Sequence, residues 1–265
     1  MSARTPTDTP GADRIDSNSI PAQRRGASRA LLVILTASVA MAGTFAYLAA
    51  STRHVVQQQR PSGSQLRVTG IPASVPTQLA YLMGLSTLPT KAAPNFTLTD
   101  QNGRTLSLAS LRGRAVVLEF MDPNCVDVCP IVSQEFVDAY HDLGRAASRV
   151  VFLAVNVNPF HLDVASMAAY SKAHHLDALP SWHFLTGPAS SLHRVWRDYN
   201  VAVNAPNATA DVVHTSVAYF IDPSGQERYV AFPMIDHTAT GAAYLPAGPL
   251  AQWGVGIATV AKALS

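Results

Sequence analysis

Cysteine is nearly absent from this chain: two residues in 265, four positions apart. So sparse a supply excludes a disulfide-stapled scaffold, which needs more cysteines spread more widely. Charge is thin as well, at 14% of residues with a formal net charge of +2. No run of lysine and arginine interleaved with aromatics occurs, so nucleic-acid binding is not expected. Repeats at a fixed period are also missing, which argues against solenoids and propellers. What remains is a chain 48% hydrophobic, ample for a buried core although one membrane-like stretch inflates that share.

Four parts follow along the chain. Residues 1–29 are rich in Ser, Thr, Pro and Gly, too polar to bury a core, and are expected to form a disordered cytoplasmic tail. Residues 30–50 (ALLVILTASVAMAGTFAYLAA) carry no charge. A helix of that length rises about 30 Å, enough to cross a bilayer. Arg24, Arg25 and Arg29 precede it, and this bias places the tail in the cytoplasm and the rest of a single-pass membrane protein outside. The stretch reads as an uncleaved anchor; a signal peptide would have a shorter apolar region of roughly 7–15 residues. Residues 51–91 are expected to be a tether, with Gln57–Gln59 and prolines at 61, 72, 76 and 89. Within it, the apolar segment 79–85 (LAYLMGL) is expected to fold back on the domain as a short helix.

Residues 92–265 read as one globular domain. Phe96–Asp100 alternates like a strand, Gln101-Asn102-Gly103 is a turn and Leu106–Leu108 returns as its partner. Ala115–Phe120 (AVVLEF) is a continuous run suited to a central strand covered on both faces. Pro130 fits the first turn of a helix reaching about Ala147. A strand at 150–157, a helix at 164–174, a strand at 182–185 and a helix at 190–199 come next. A hairpin over 215–232 and a helix at 248–264 close the chain. This order predicts an α/β thioredoxin-like three-layer sandwich with an N-terminal β-hairpin, preceded by a transmembrane helix.

The chemistry concentrates in Cys125-Val-Asp-Val-Cys129-Pro, where a central strand passes into a helix. Cys129 falls at the helix N-terminus, where free N–H groups and the dipole are expected to stabilise a thiolate. A structural disulfide bond between these neighbours would constrain little, about 2 kcal/mol. Two active chemistries fit the pair. One is copper binding, since two soft sulfurs favour Cu(I) and an added imidazole lets the site hold Cu(II). The other is thiol–disulfide exchange, with Cys125 and Cys129 as the redox-active pair, although thioredoxin motifs place two residues between the sulfurs and not three. Of nine histidines, His214 stands out because it opens the strand HTSVAYFIDPSG after a loop over 203–212 that would lie beside the cysteine-bearing helix. The fold alone leaves it open between a ligand and a capping or surface residue.

The stretches FTLTDQNGRTLSLASLRGRAVVLEFMDPNCVDVCP, WHFLTG and HTSVAYFIDPSG resemble, in this order and spacing, the SCO/SenC family of copper proteins over roughly residues 93–232. The resemblance implies one copper ion, Cu(I) or Cu(II), held by Cys125, Cys129 and His214, with Asp127 between the cysteines tuning the site and partner docking. It also implies a metallochaperone that delivers copper to, or reduces cysteines of, the binuclear copper centre of a respiratory cytochrome oxidase. The implied partner is the copper-bearing oxidase subunit or another copper carrier. Two departures from the family pattern stand at the site. Val126 replaces the usual proline, and Met121-Asp122-Pro123-Asn124 replaces the usual Gly-Tyr-Thr approach. A peroxiredoxin-like peroxidase is disfavoured, because the Thr that precedes a peroxidatic cysteine is missing from DPNC.

Overall fold

This computed structural model describes residues 69–265. The predicted tail, the anchor at 30–50 and the first part of the tether lie outside the described residues. In chain order the described part runs α1 (Thr77–Leu82), β1 (Ser86–Ala92), β2 (Thr97–Thr99), β3 (Thr105–Ser107), β4 (Ala115–Met121) and α2 (Val128–Leu143). Then come β5 (Val150–Asn156), α3 (Val164–Ala173), β6 (Trp182–Leu185), α4 (Ala189–Asp198), β7 (Val203–Asn204) and β8 (Val213–His214). The chain ends with β9 (Ala218–Ile221), β10 (Gln226–Ala231), β11 (Asp236–His237), β12 (Ala243–Tyr244) and α5 (Ala247–Leu264). Among these helices none is long and apolar enough to cross a membrane.

β4 and β5 are buried at every position, which is why they occupy the centre of a six-stranded sheet ordered β1-β10-β9-β4-β5-β6. β4, β5 and β6 run parallel, while β9, β10 and β1 are added antiparallel. Alternation along each strand divides the core in two. Val117, Met121, Phe152 and Ala154 face α2, α3 and α5. Val116, Leu118, Phe120 and Leu153 face α4 and the β2–β3 hairpin. The result is the expected three-layer, thioredoxin-like α/β sandwich.

The predicted tether boundary at residue 91 does not match the fold. Ser86–Ala92 pairs with β10 as the edge strand β1. Its residues are mostly exposed, so no apolar alternation announces it. Pro89 sits where the register shifts between Thr87 and Lys91, as an edge strand tolerates a residue that cannot donate to the ladder. The short helix foreseen near 79–85 is α1, and the Met83 and Leu85 that follow it are buried.

α5 lies close against α2, the helix that carries Cys129. A Cβ added at Gly254 would stand 2.6 Å from the Asp138 Cβ and 3.3 Å from the Ala139 nitrogen, atoms that cannot swing aside. Gly254→Val should therefore cost about 2 kcal/mol through overpacking, read from urea denaturation. Unchanged stability would show that the helices have room to part.

Candidate metal centre

β4 ends at Met121, and a three-residue approach, Asp122-Pro123-Asn124, leads to Cys125. Asp122 builds this approach. Its Oδ1 accepts from the Asn124 N–H and from the Asn158 side-chain amide, both at 2.9 Å, and its carbonyl accepts from the Cys125 N–H at 3.1 Å. Asn158 is fixed in turn by Asn156 Oδ1, which accepts its N–H at 2.8 Å. The departure at 121–124 thus supplies a buried carboxylate scaffold for the cysteine loop. Sequence reasoning noted the substitution but not this role.

Cys125 is half-buried and Cys129 buried, and both are free thiols. The Cys129 N–H, in the first turn of α2, donates to Cys125 Sγ at 3.3 Å. The thiolate is consequently Cys125, not Cys129 as expected from position alone. N–H groups of a first turn point back out of the helix, and the sulfur they meet belongs to the preceding loop. The Cys129 thiol and the backbone N–H groups of residues 127–129 hold Cys125 down to about 6, against the opposing effect of burial. The Cys129 thiol is pushed well above its usual range by that same contact, by burial and by the Cys125 charge. At pH 7 Cys125 should alkylate with iodoacetamide roughly a hundredfold faster than Cys129, since reactivity follows the thiolate fraction. Peptide mass mapping checks this, and first labelling at Cys129 would contradict the assignment.

His214 does not open the sheet strand. It sits on the two-residue ladder β7–β8, where it opposes Val203, and β9 begins only at Ala218. Its Nδ1–H donates to the Thr215 carbonyl at 3.0 Å, an arrangement that leaves Nε2 with a free lone pair. Burial holds its pKa below the usual histidine value, against the smaller opposing effects of that hydrogen bond and of Asp122. His214 and both cysteines line one cavity of about 800 Å³. They share its wall without forming a closed cluster: among the described residues, no three His, Cys, Asp or Glu side chains stand close enough to hold a metal as they are.

Asp127 leaves its own helix uncapped. Its Oδ1 instead accepts the Ala243 N–H at 3.0 Å, tying the β11–β12 hairpin, unforeseen in the sequence, to the cysteine loop. One more carboxyl was missed. Glu119 on β4 lines the cavity, is 1% exposed, and has an Oε2 without a hydrogen-bond partner. Its signal was a charged residue inside a run otherwise read as apolar.

A thioredoxin-like domain with a strand–helix dithiol and an imidazole on the same cavity wall is the class that these features define. The SCO1/SenC family model matches residues 86–243, and the chain belongs to that family. It is 26% identical to the SCO1 protein homolog of Bacillus subtilis over 49% of this chain and 68% of that one. It is 31% identical to the mitochondrial SCO2 homolog of Danio rerio over 49% of this chain and 48% of that one. A chloroplastic peroxiredoxin Q of Triticum aestivum is 26% identical over 52% of this chain and 55% of that one. The chain thus spans only about half the length of the last two. Bradyrhizobium japonicum ScoI, solved with copper bound, superposes with a TM-score of 0.51 at 24% identity, covering 66% of this chain and all of that one. At that identity the likeness speaks for the fold.

Proposed function

We propose that this protein is a copper carrier, with Cys125, Cys129 and His214 as the ligands of one copper ion and membrane attachment through residues 30–50. The domain would then stand outside the cytoplasm. The observation that carries the reading is the convergence of two sulfurs and a free imidazole nitrogen on one cavity. That donor set suits Cu(I) and also admits Cu(II). Glu119, Asp122, Asp127 and Asp211 are on the cavity wall and, among the described residues, no lysine or arginine is, a lining suited to a cation. Loading needs His214 to close on the sulfurs. Its place on a two-residue ladder outside the main sheet allows that without breaking a sheet strand. Membership of the SCO1/SenC family supports delivery of the copper to the binuclear centre of a cytochrome oxidase, directly or through another carrier.

Anaerobic competition with a chromophoric Cu(I) chelator tests the site. One copper per chain is expected, lost in both Cys125→Ser and Cys129→Ser; undiminished binding in either variant would sink the ligand assignment. A second reading, thiol–disulfide oxidoreductase, is favoured by the contact between the Cys129 N–H and Cys125 Sγ. An accessible low-pKa sulfur beside a buried partner is the pairing of an attacking and a resolving thiol. The two roles are compatible, since copper loading requires both thiols reduced.

A further inference from the structure

We propose that Glu119 is an additional oxygen ligand that this site offers to Cu(II) and not to Cu(I). The inference rests on the copper reading above and extends it to the choice between oxidation states. Glu119 lies on the central strand β4, whose last residue leads into the cysteine loop. Its neighbours on the same face, Val117 and Met121, are buried and apolar. A carboxyl there with an unpartnered oxygen is a cost to the fold, because its desolvation is not repaid by a hydrogen bond. A hydrophobic residue would serve packing better. One side of the carboxyl lies against the backbone at Val217 and Phe120, and Val217 is on the segment that follows His214. The orphaned Oε2 belongs to a residue that lines the same cavity as the cysteines and the imidazole.

The other carboxyls on this wall are less available. Asp122 Oδ1 is engaged by Asn124 and Asn158, and Asp127 Oδ1 by Ala243. Asp211 sits on the exposed loop before β8. Two thiolates and an imidazole satisfy Cu(I), which is soft, but leave Cu(II) one donor short of the tetragonal geometry it prefers, for which oxygen is suited. Charge points the same way. With two thiolates, Cu(I) makes a site of net charge −1 and Cu(II) a neutral one, so a buried carboxylate is repelled in the first case and accepted in the second. On ligation Glu119 gives up its proton to solvent through the cavity, and the Cu(II)–oxygen bond replaces the O–H bond. No electron moves in this step.

The test is Glu119→Gln in the full chain, read by electron paramagnetic resonance of the Cu(II) form and by separate Cu(II) and Cu(I) competition titrations. Cu(II) affinity should fall tenfold or more with a changed spectrum, while Cu(I) affinity stays within about threefold. The reduction potential of the copper should rise by about 59 mV for each tenfold of preference lost. Glu119→Asp, which keeps the carboxylate but withdraws it by one methylene, should fall between and serves if the glutamine variant fails to fold. Glu135, a second buried glutamate that does not line the cavity, is the control: Glu135→Gln should leave the Cu(II) spectrum unchanged. An unaltered Cu(II) spectrum and affinity in Glu119→Gln would overturn the inference, as would an equal change in Glu135→Gln. Both outcomes leave the copper reading standing. That reading fails separately if the wild-type chain does not take up Cu(I) through its cysteines.

Discussion

Replacing His214 by alanine is expected to abolish Cu(II) loading and to weaken Cu(I) binding by at least about a hundredfold. Outer-shell partners of a ligand alone are worth about 10–100-fold in metal affinity, and here the proposed ligand itself is removed. The imidazole is prepared for the role. Its Nδ1–H is committed to the Thr215 carbonyl, so Nε2 needs no tautomer change to bind. Burial keeps the ring neutral, and no proton has to be displaced from it at neutral pH. Cu(I) survives the loss better than Cu(II), because two thiolates alone suit a soft ion. The same variant separates the copper carrier from the oxidoreductase. The sulfur contact that sets Cys125 reactivity lies within the 125–129 loop and does not include His214. The disulfide reduction potential should therefore move by less than about 30 mV, a tenfold change for a two-electron couple. Copper affinity unchanged in His214→Ala would favour the oxidoreductase and leave the imidazole without a function.

The central strands and the strand–helix junction were readable because their signals are local. β4 is apolar apart from Glu119 and β5 apart from its terminal Asn156, and Cys125, Cys129 and Pro130 follow shortly after β4 in the chain. What escaped depends on pairing at a distance. β1 has no buried alternation and contains Pro89, so only its registry with β10 marks it as a strand. The β11–β12 hairpin is exposed on β11 and joined to the site by a single hydrogen bond spanning 116 positions, Ala243 to Asp127. The assignment of the thiolate turned on which sulfur lies in front of the first N–H groups of α2. Helix position implicates Cys129, but only the fold of the 122–125 approach puts Cys125 there. His214 was singled out by its place in the sequence pattern; that it rides on its own small ladder required coordinates.

The second large effect is on stability and arises from Glu119 and Glu135, the latter buried with neither oxygen partnered. Burial pushes the Glu119 carboxyl up to about 8. Burial, with repulsion from Glu119 and Asp138, pushes Glu135 up to about 9. Both start from a usual value of 4.5. Between that value and the folded ones, the native state keeps protons that the unfolded chain releases. Unfolding free energy therefore falls as pH rises through this window, and below it these groups impose no such loss. Each pH unit per group is worth about 1.4 kcal/mol if nothing relaxes. Water entry and side-chain movement reduce this, and the two glutamates together are expected to contribute a loss of about 3 kcal/mol between pH 5 and 9, a large share of a domain's stability. Cys125 acts in the opposite sense. Its folded value near 6 lies below the usual 9, so from pH 6 to 9 the unfolded chain holds the extra proton and stability rises. The two contributions overlap, and the wild-type curve alone does not resolve them. Comparison with Glu135→Gln does, because the cysteine contribution cancels in the difference. The variant should gain on the wild type steadily from pH 5 to 9 in urea denaturation, reaching about 2 kcal/mol at the alkaline end. Parallel curves would mean that Glu135 is ionised in the native state and has found a partner there.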